Sequence, residues 1–208
     1  SAASDVYKRQ VIIDGEKFTA RVIKEADKLK VIGRFGVGLD NIDLEAATRK
    51  GIPVTFTPVC CEAVADLTIG LMLCVLRRIA EANNKVKKGM WKSPIYCEEL
   101  IGHDLYGKTV GIIGLGRIGT GVARRLKGFN VKILYFDVIR REELEEELRL
   151  EYVSLDELLR RSDIITIHVP LTEKTKGMIS KREFSLMKDG VIIINTARGP
   201  IIDENALY

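Results

Sequence analysis

Gly114, Gly116 and Gly119 stand in the order G-L-G-R-I-G, directly after the apolar run Val110-Gly111-Ile112-Ile113. The chemistry open to this spacing is the holding of a phosphate. The first glycine turns the chain where a Cβ would clash, and the second brings backbone N–H groups close to a pyrophosphate. The third lets the following helix lie near the strand. Ile118, Val122 and Leu126 then recur at helical spacing, so the positive end of a helix dipole faces the phosphates. A second apolar run, Val131–Phe136, ends in Asp137, about twenty residues on, where a ribose-binding carboxylate belongs. Eighteen glycines in 208 residues will give loose matches by chance. The alternative is a plain strand–helix turn with Asp137 as an ordinary strand-end residue. Strand, turn, helix and acid in the right order favour a dinucleotide.

The elements that must position these residues read as strands alternating with helices, which predicts parallel βαβ units. Val11–Ile13, Lys30–Ile32 and Ile52–Phe56 read as strands, Thr19–Leu29 as a helix, and Asp43–Lys50 as a helix capped by Asp43 and stopped by Gly51. Glu62–Ala82 is apolar almost all round, which predicts one long helix of about 30 Å buried on several sides. Gly89–Gly107, with Trp91 and Pro94, reads as a linker. Beyond it come Val131–Asp137, a charged helix near Glu142–Leu150, and a capping box at Ser154 and Glu157. Ile164–Val169, a short helix at Lys181–Met187 and Val191–Asn195 follow. Runs such as Ile164-Ile-Thr-Ile do not alternate, as suits strands buried on both faces. The first ten residues, SAASDVYKRQ, fit nothing downstream and look like a translated library adapter.

Composition narrows the function classes. The chain is 46% hydrophobic and 30% charged, enough for a packed core. A net charge of +4 from 33 basic and 29 acidic residues does not argue for nucleic acid. Cys60, Cys61, Cys74 and Cys97 show no CxxC spacing, so neither a disulfide framework nor a metal site is expected, and a reducing cytoplasm is the expected home. The longest apolar run, Leu67–Leu76, falls well short of the roughly 20 residues that cross a bilayer.

Four blocks carry a family resemblance: residues 33–54 (GRFGVGLDNIDLEAATRKGIPV), 63–73 (AVADLTIGLML), 105–119 (LYGKTVGIIGLGRIG), and His168-VPLT with INTARGPIID ending at Asp203. In combination they resemble the D-isomer-specific 2-hydroxyacid dehydrogenases, of the phosphoglycerate dehydrogenase or glyoxylate/hydroxypyruvate reductase type. The resemblance implies an α/β fold of two Rossmann-like domains with parallel sheets, the NAD-binding domain inserted into the substrate domain. On this chain that means 1–10 as the adapter-derived tail, 11–103 as a partial substrate domain with its interdomain helix, and 104–208 as a partial NAD-binding domain.

In such a family a hydride passes between a nicotinamide and C2 of a 2-hydroxy or 2-keto acid. Residue by residue, the arginine that grips the substrate carboxylate maps to Arg198, just past the strand Val191–Asn195. The pyrophosphate maps to the backbone at Arg117 and Ile118 within Gly114, Gly116 and Gly119, and the adenine ribose to Asp137. Val169 and Pro170 map to the adenine side, and Thr196 and Ala197 to the nicotinamide ribose. Thr68 maps to a cofactor contact, or is a helical threonine bonded to its own chain. Val37 and Gly38 map to backbone donors for the substrate carboxylate, or form an ordinary glycine turn. Asp137 favours NAD over NADP, with Arg140 and Arg141 close by in sequence. The resemblance also implies a homodimer, with the Glu62–Ala82 helix and the linker that follows it as the expected surface.

The family's glutamate and histidine, which handle the proton, align with nothing here. His103 falls in the linker and His168 on the adenine side. The chain therefore reads as an internal fragment, expected to be inactive by itself. An NAD-sensing corepressor of the same superfamily is the alternative to an enzyme.

Overall fold

The computed structural model describes residues 9–90 and 98–208. Residues 1–8, and residues 91–97 with Trp91, Pro94 and Cys97, lie outside the described residues. The chain divides at Cys60/Cys61 into two compact units.

In the first unit β1 (Gln10–Ile13), β2 (Val31–Arg34) and β3 (Val54–Phe56) form a parallel sheet in that order. Gln10 pairs with Val31, and Arg9 accepts from the Lys30 N–H. Arg9 and Gln10, at the end of the expected tail, thus take part in the sheet. Helix α1 (Ala20–Glu25) is shorter than Thr19–Leu29, because Thr19 is its N-cap and the chain turns inward at the buried Ala26 and Leu29. Helix α2 (Leu44–Arg49) forms as expected. The Asp43 carboxylate accepts from the Ala46 N–H at 2.8 Å, and Gly51 leaves the helix at φ +67°. Ile13, Phe18, Ile23, Ile32, Ala47 and Ile52 are among the buried core of this unit.

The second unit opens with α3 (Cys61–Leu76) and α4 (Ile79–Lys87). The single helix expected over Glu62–Ala82 is thus two. They part where Arg78 takes a left-handed φ of 52°. The cause is tertiary. The returning chain donates its His103 N–H to the Leu76 carbonyl at 2.8 Å, a Cβ on Gly102 would meet that oxygen at 2.2 Å, and Asp104 pairs with Arg77 at 2.6 Å. Nor is α3 buried all round: Ala65, Thr68, Ile69, Met72 and Leu76 face the core, while Leu67, Leu71 and Val75 are exposed.

Next come β4 (Thr109–Ile113), α5 (Arg117–Leu126), β5 (Lys132–Phe136), α6 (Glu142–Leu148), β6 (Leu150–Tyr152), α7 (Leu155–Arg161) and β7 (Ile164–Ile167). The unit closes with α8 (Lys181–Leu186), β8 (Ile192–Asn195) and α9 (Glu204–Leu207). The five strands are parallel in the order β6-β5-β4-β7-β8. Both faces are covered. Val110, Ile112, Ile133 and Tyr135 pack with α3 and α5 residues on one side, and Ile113, Leu134, Ile165 and Ile167 pack with Leu158 and Leu159 on the other. That is why these strands read as unbroken apolar runs. Ser154 caps α7 through the Glu157 N–H at 3.2 Å, but the Glu157 carboxylate goes to Arg161 instead of back to the cap.

Helix α3 belongs with this unit, although it was expected with the substrate domain. A Cβ on Gly121 of α5 would lie 3.2 Å from the Ala65 Cβ, so the two helices touch closely. Arg125 of α5 clasps Asp66 at 2.6 Å and Glu62 at 2.9 Å.

Candidate dinucleotide site

The strand order reverses direction between β4 and β7. In open α/β sheets ligands bind outside the carboxyl ends of the strands at such a reversal. Phe136, Ile113, Ile167 and Asn195 are register partners across β5, β4, β7 and β8. Each is the last residue of its strand. Asp137, Gly114, His168 and Thr196 therefore all leave the sheet from one line. Gly114 donates its N–H to the Phe136 carbonyl and His168 to that of Ile113, both at 2.8 Å.

The glycine turn has the shape its sequence implies. Gly114 sits at φ +94°, and a Cβ there would meet the His168 carbonyl carbon at 2.9 Å. A Cβ on Gly119 would meet the Gly114 oxygen at 2.1 Å, so this helix position admits only glycine. Gly116 is the N-cap of α5, no side chain caps the helix, and the space where its Cβ would stand is open. Asp137 holds the turn from the next strand: one carboxylate oxygen accepts from Leu115 N–H at 2.7 Å, the other from Ile139 N–H at 3.2 Å. An uncapped helix start, open space over a bare glycine and a fixed carboxylate at the neighbouring strand end fit a dinucleotide.

On the other side of the reversal, Asn195 organises the turn that carries Arg198. Its side chain accepts from Ala197 N–H at 3.0 Å and donates to the Arg198 carbonyl at 2.8 Å. Arg198 Nη1 donates to the Ala197 carbonyl at 2.9 Å.

The model of the D-isomer specific 2-hydroxyacid dehydrogenase family, NAD binding domain, matches residues 69–208. The chain belongs to this family. It is 47% identical over 190 residues to a glyoxylate reductase of Korarchaeum cryptofilum, a match that takes in 91% of this chain and 57% of that one. It is 48% identical over 200 residues to a D-3-phosphoglycerate dehydrogenase of Methanocaldococcus jannaschii, covering 95% of this chain and 37% of the relative. The chain thus spans well under two thirds of the length of these relatives. Among solved structures, a D-lactate dehydrogenase of Aquifex aeolicus complexed with NAD and lactic acid matches with a TM-score of 0.90. The two are 38% identical, over 100% of this chain and 62% of that one.

As a member of this dehydrogenase family the chain carries its NAD-binding fold, and the residues expected at the site fall into three groups. Gly114, Gly116, Arg117, Ile118, Gly119 and Asp137 cluster around the glycine turn. Val169, Pro170, Thr196, Ala197 and Arg198 leave the same sheet edge through β7 and β8. Val37 and Gly38 lie in the first unit, in the loop after β2.

Thr68 is fully buried, and its hydroxyl donates to the Val64 carbonyl at 2.8 Å, the self-bonded arrangement weighed above. It also meets Thr196 Oγ1 at 3.1 Å. Thr196 in turn lies 3.5 Å from His168 Nδ1, and His168 Nε2 lies 2.9 Å from Thr166 Oγ1. Each hydroxyl has one proton. With Thr68 committed to Val64, the arrangement that gives every contact a proton is Thr196 to Thr68, His168 Nδ1–H to Thr196, and Thr166 to His168 Nε2. Burial pushes the imidazole pKa down to about 4, in keeping with a neutral ring. The family resemblance puts His168 on the adenine side and gives no hint of this hydrogen-bond chain. The one available signal was its place directly after an apolar strand.

Proposed function

We propose that the whole protein transfers a hydride between NAD and C2 of a small D-2-hydroxy or 2-keto acid, such as 3-phosphoglycerate, glycerate/hydroxypyruvate or glyoxylate. The observation that carries this reading is the single line from which Asp137, the glycine turn, His168 and the Arg198 turn leave the sheet. NAD, when bound, supplies the hydride acceptor, or as NADH the donor. The chain's own residues do the rest. Backbone N–H groups at Arg117 and Ile118 take the pyrophosphate, and the Asp137 carboxylate accepts from ribose hydroxyls. Thr196 and Ala197 border the nicotinamide ribose, Val169 and Pro170 the adenine. The Arg198 guanidinium grips the substrate carboxylate with two parallel donors and polarises the carbonyl. Val37 and Gly38, in the loop after β2, offer backbone N–H groups suited to a carboxylate.

In this reading the 208-residue polypeptide, assayed by itself, binds NAD without appreciable turnover. Proton transfer needs a positioned general acid. His168 is held neutral by burial and committed to two threonines. Homodimerisation through the exposed stripe Leu67, Leu71, Val75 belongs to the same proposal.

Calorimetric titration of the purified chain with NADH tests the cofactor reading, and absence of binding overturns it. NADH formation with D-3-phosphoglycerate or D-glycerate is the separate test of turnover. Detectable formation by the 208-residue chain overturns the claim of inactivity, whereas binding without turnover in the whole protein would favour a sensor over an enzyme.

A further inference from the structure

The loop after β5 reads Asp137-Val-Ile-Arg140-Arg141. An acid at this strand end suits the 2′-hydroxyl of NAD, and an arginine near it suits the 2′-phosphate of NADP. The sequence offers both. The structure shows what has become of Arg140. Its Nε and Nη2 meet the two oxygens of Glu145, on α6, at 2.9 and 2.8 Å. The hydroxyl of the fully buried Tyr135 donates to Glu145 Oε1 at 2.7 Å and accepts from the Arg141 N–H at 2.9 Å. The guanidinium carbon lies 5.5 Å from the centroid of the Tyr152 ring, which is tilted against Tyr135 at 5.2 Å. The Tyr152 hydroxyl reaches the Asp137 carbonyl at 3.4 Å.

An isolated exposed ion pair would hold Arg140 weakly. This one is a two-pronged fork, its carboxylate is mostly buried, and a core tyrosine anchors it from below. The Arg140 charges and hydrogen bonds hold the Glu145 carboxyl down at about 2, with the Tyr135 hydroxyl adding to them, so it stays ionised at any ordinary pH. Burial pushes the Tyr135 phenol up to about 12, so it keeps the proton it donates.

We propose that Glu145 is a specificity-determining residue: by locking Arg140 against Tyr135 and Tyr152 it withholds the cation a 2′-phosphate would need, leaving Asp137 to select NAD. This rests on the cofactor reading above. Selectivity then resides in a helix residue that touches no part of the dinucleotide. Removing the lock, with Asp137 intact, is enough to let a 2′-phosphate in.

The test is calorimetric titration of the 208-residue chain with NAD and with NADP, wild type beside Glu145→Gln, which keeps the shape and the tyrosine bond but drops the charge. The expected result is tighter NADP binding by about fivefold, with NAD within about twofold. Adding Arg140→Ala to Glu145→Gln should abolish the gain. Arg140→Ala alone should leave NADP affinity within about twofold, because a locked arginine has nothing to lose. An unmoved NADP-to-NAD ratio in Glu145→Gln, a gain that survives Arg140→Ala, or a loss of NADP affinity in Arg140→Ala alone overturns the proposal. Wild type that binds neither dinucleotide overturns the cofactor reading and this proposal with it. If Glu145→Gln fails to fold by circular dichroism, Tyr135→Phe loosens the same carboxylate and should shift the ratio the same way, and no shift there overturns the lock.

Discussion

Two strand-end loops in this chain are built alike and tied in opposite ways. After β2 comes Phe35-Gly-Val-Gly38, and after β4 comes Gly114-Leu-Gly116. The first is held by a cation. Arg34, with a side chain only 11% exposed, donates to the carbonyls of Phe35 at 2.6 Å, Gly38 at 2.8 Å and Ile13 at 3.3 Å, and to the Asp14 carboxylate at 2.8 Å. With these carbonyls gathered around the guanidinium, the Val37 and Gly38 N–H groups find no acceptor among the described residues. The second loop is held by an anion: Asp137 takes the Leu115 N–H, and the N–H groups of the uncapped helix start come next in the chain. Glycine spacing makes both loops possible. A charged strand-end neighbour decides which backbone dipoles each has left for a ligand.

The comparison breaks most readily at the glycines. Gly119→Ala should cost about 3 kcal/mol and abolish NADH binding, since its Cβ overlaps the Gly114 oxygen. In the first unit, Gly33→Ala places a Cβ at ordinary contact, 3.6 Å from Ile12, and should cost within about 1 kcal/mol. Urea unfolding of both variants decides it.

The pH dependence of stability comes next. The folded pKa of His168 lies below its unfolded value, so the unfolded chain takes up a proton first as pH falls. Stability contributed by the neutral ring is full above pH 6.5 and is lost as pH falls from there towards 4. Between pH 7.5 and pH 5 the loss should be about 2 kcal/mol. His168→Gln should flatten that part of the profile, and an unchanged profile would mean the ring is not held neutral.

Arg34→Met should cost about 1.5 kcal/mol by stranding the carbonyls it gathers, and raise amide exchange from Phe35 to Gly38 while leaving exchange at the β4 turn unchanged. Smallest in stability terms is Asp137→Asn. An amide oxygen can still accept from Leu115 N–H, so folding should hold, while NAD affinity falls about tenfold with the lost charge. Equal loss of stability and affinity would instead make Asp137 chiefly a structural tie.

How much of this was legible depended on how far each cause lies along the chain. The glycine turn and the strand-end place of Asp137 could be read because each directly follows an apolar run, whereas Arg198, three residues past β8, was singled out only through the family resemblance. The break between α3 and α4 could not, since the chain that causes it returns at Gly102–Asp104. Strand β6 is three residues long and starts immediately after Arg149 leaves α6 at φ +55°, too short a run to show a period. The His168 chain was invisible because Thr196 lies 28 residues from it and 128 from Thr68. The lock on Arg140 was half visible: its charges were plain, and its geometry needed the fold.

The row Phe136–Ile113–Ile167–Asn195 has a consequence for tolerance. Gly114 and Arg198 are separated by long stretches of helix and loop, yet their positions are set by a few rungs of one ladder. Errors in the intervening chain do not accumulate at the site, because every loop is measured from the same datum line. Helices on this sheet can drift, lengthen or exchange residues with the reach between glycine turn and arginine unchanged. A one-residue slip of β7 alone would carry His168 and Val169 off that line together.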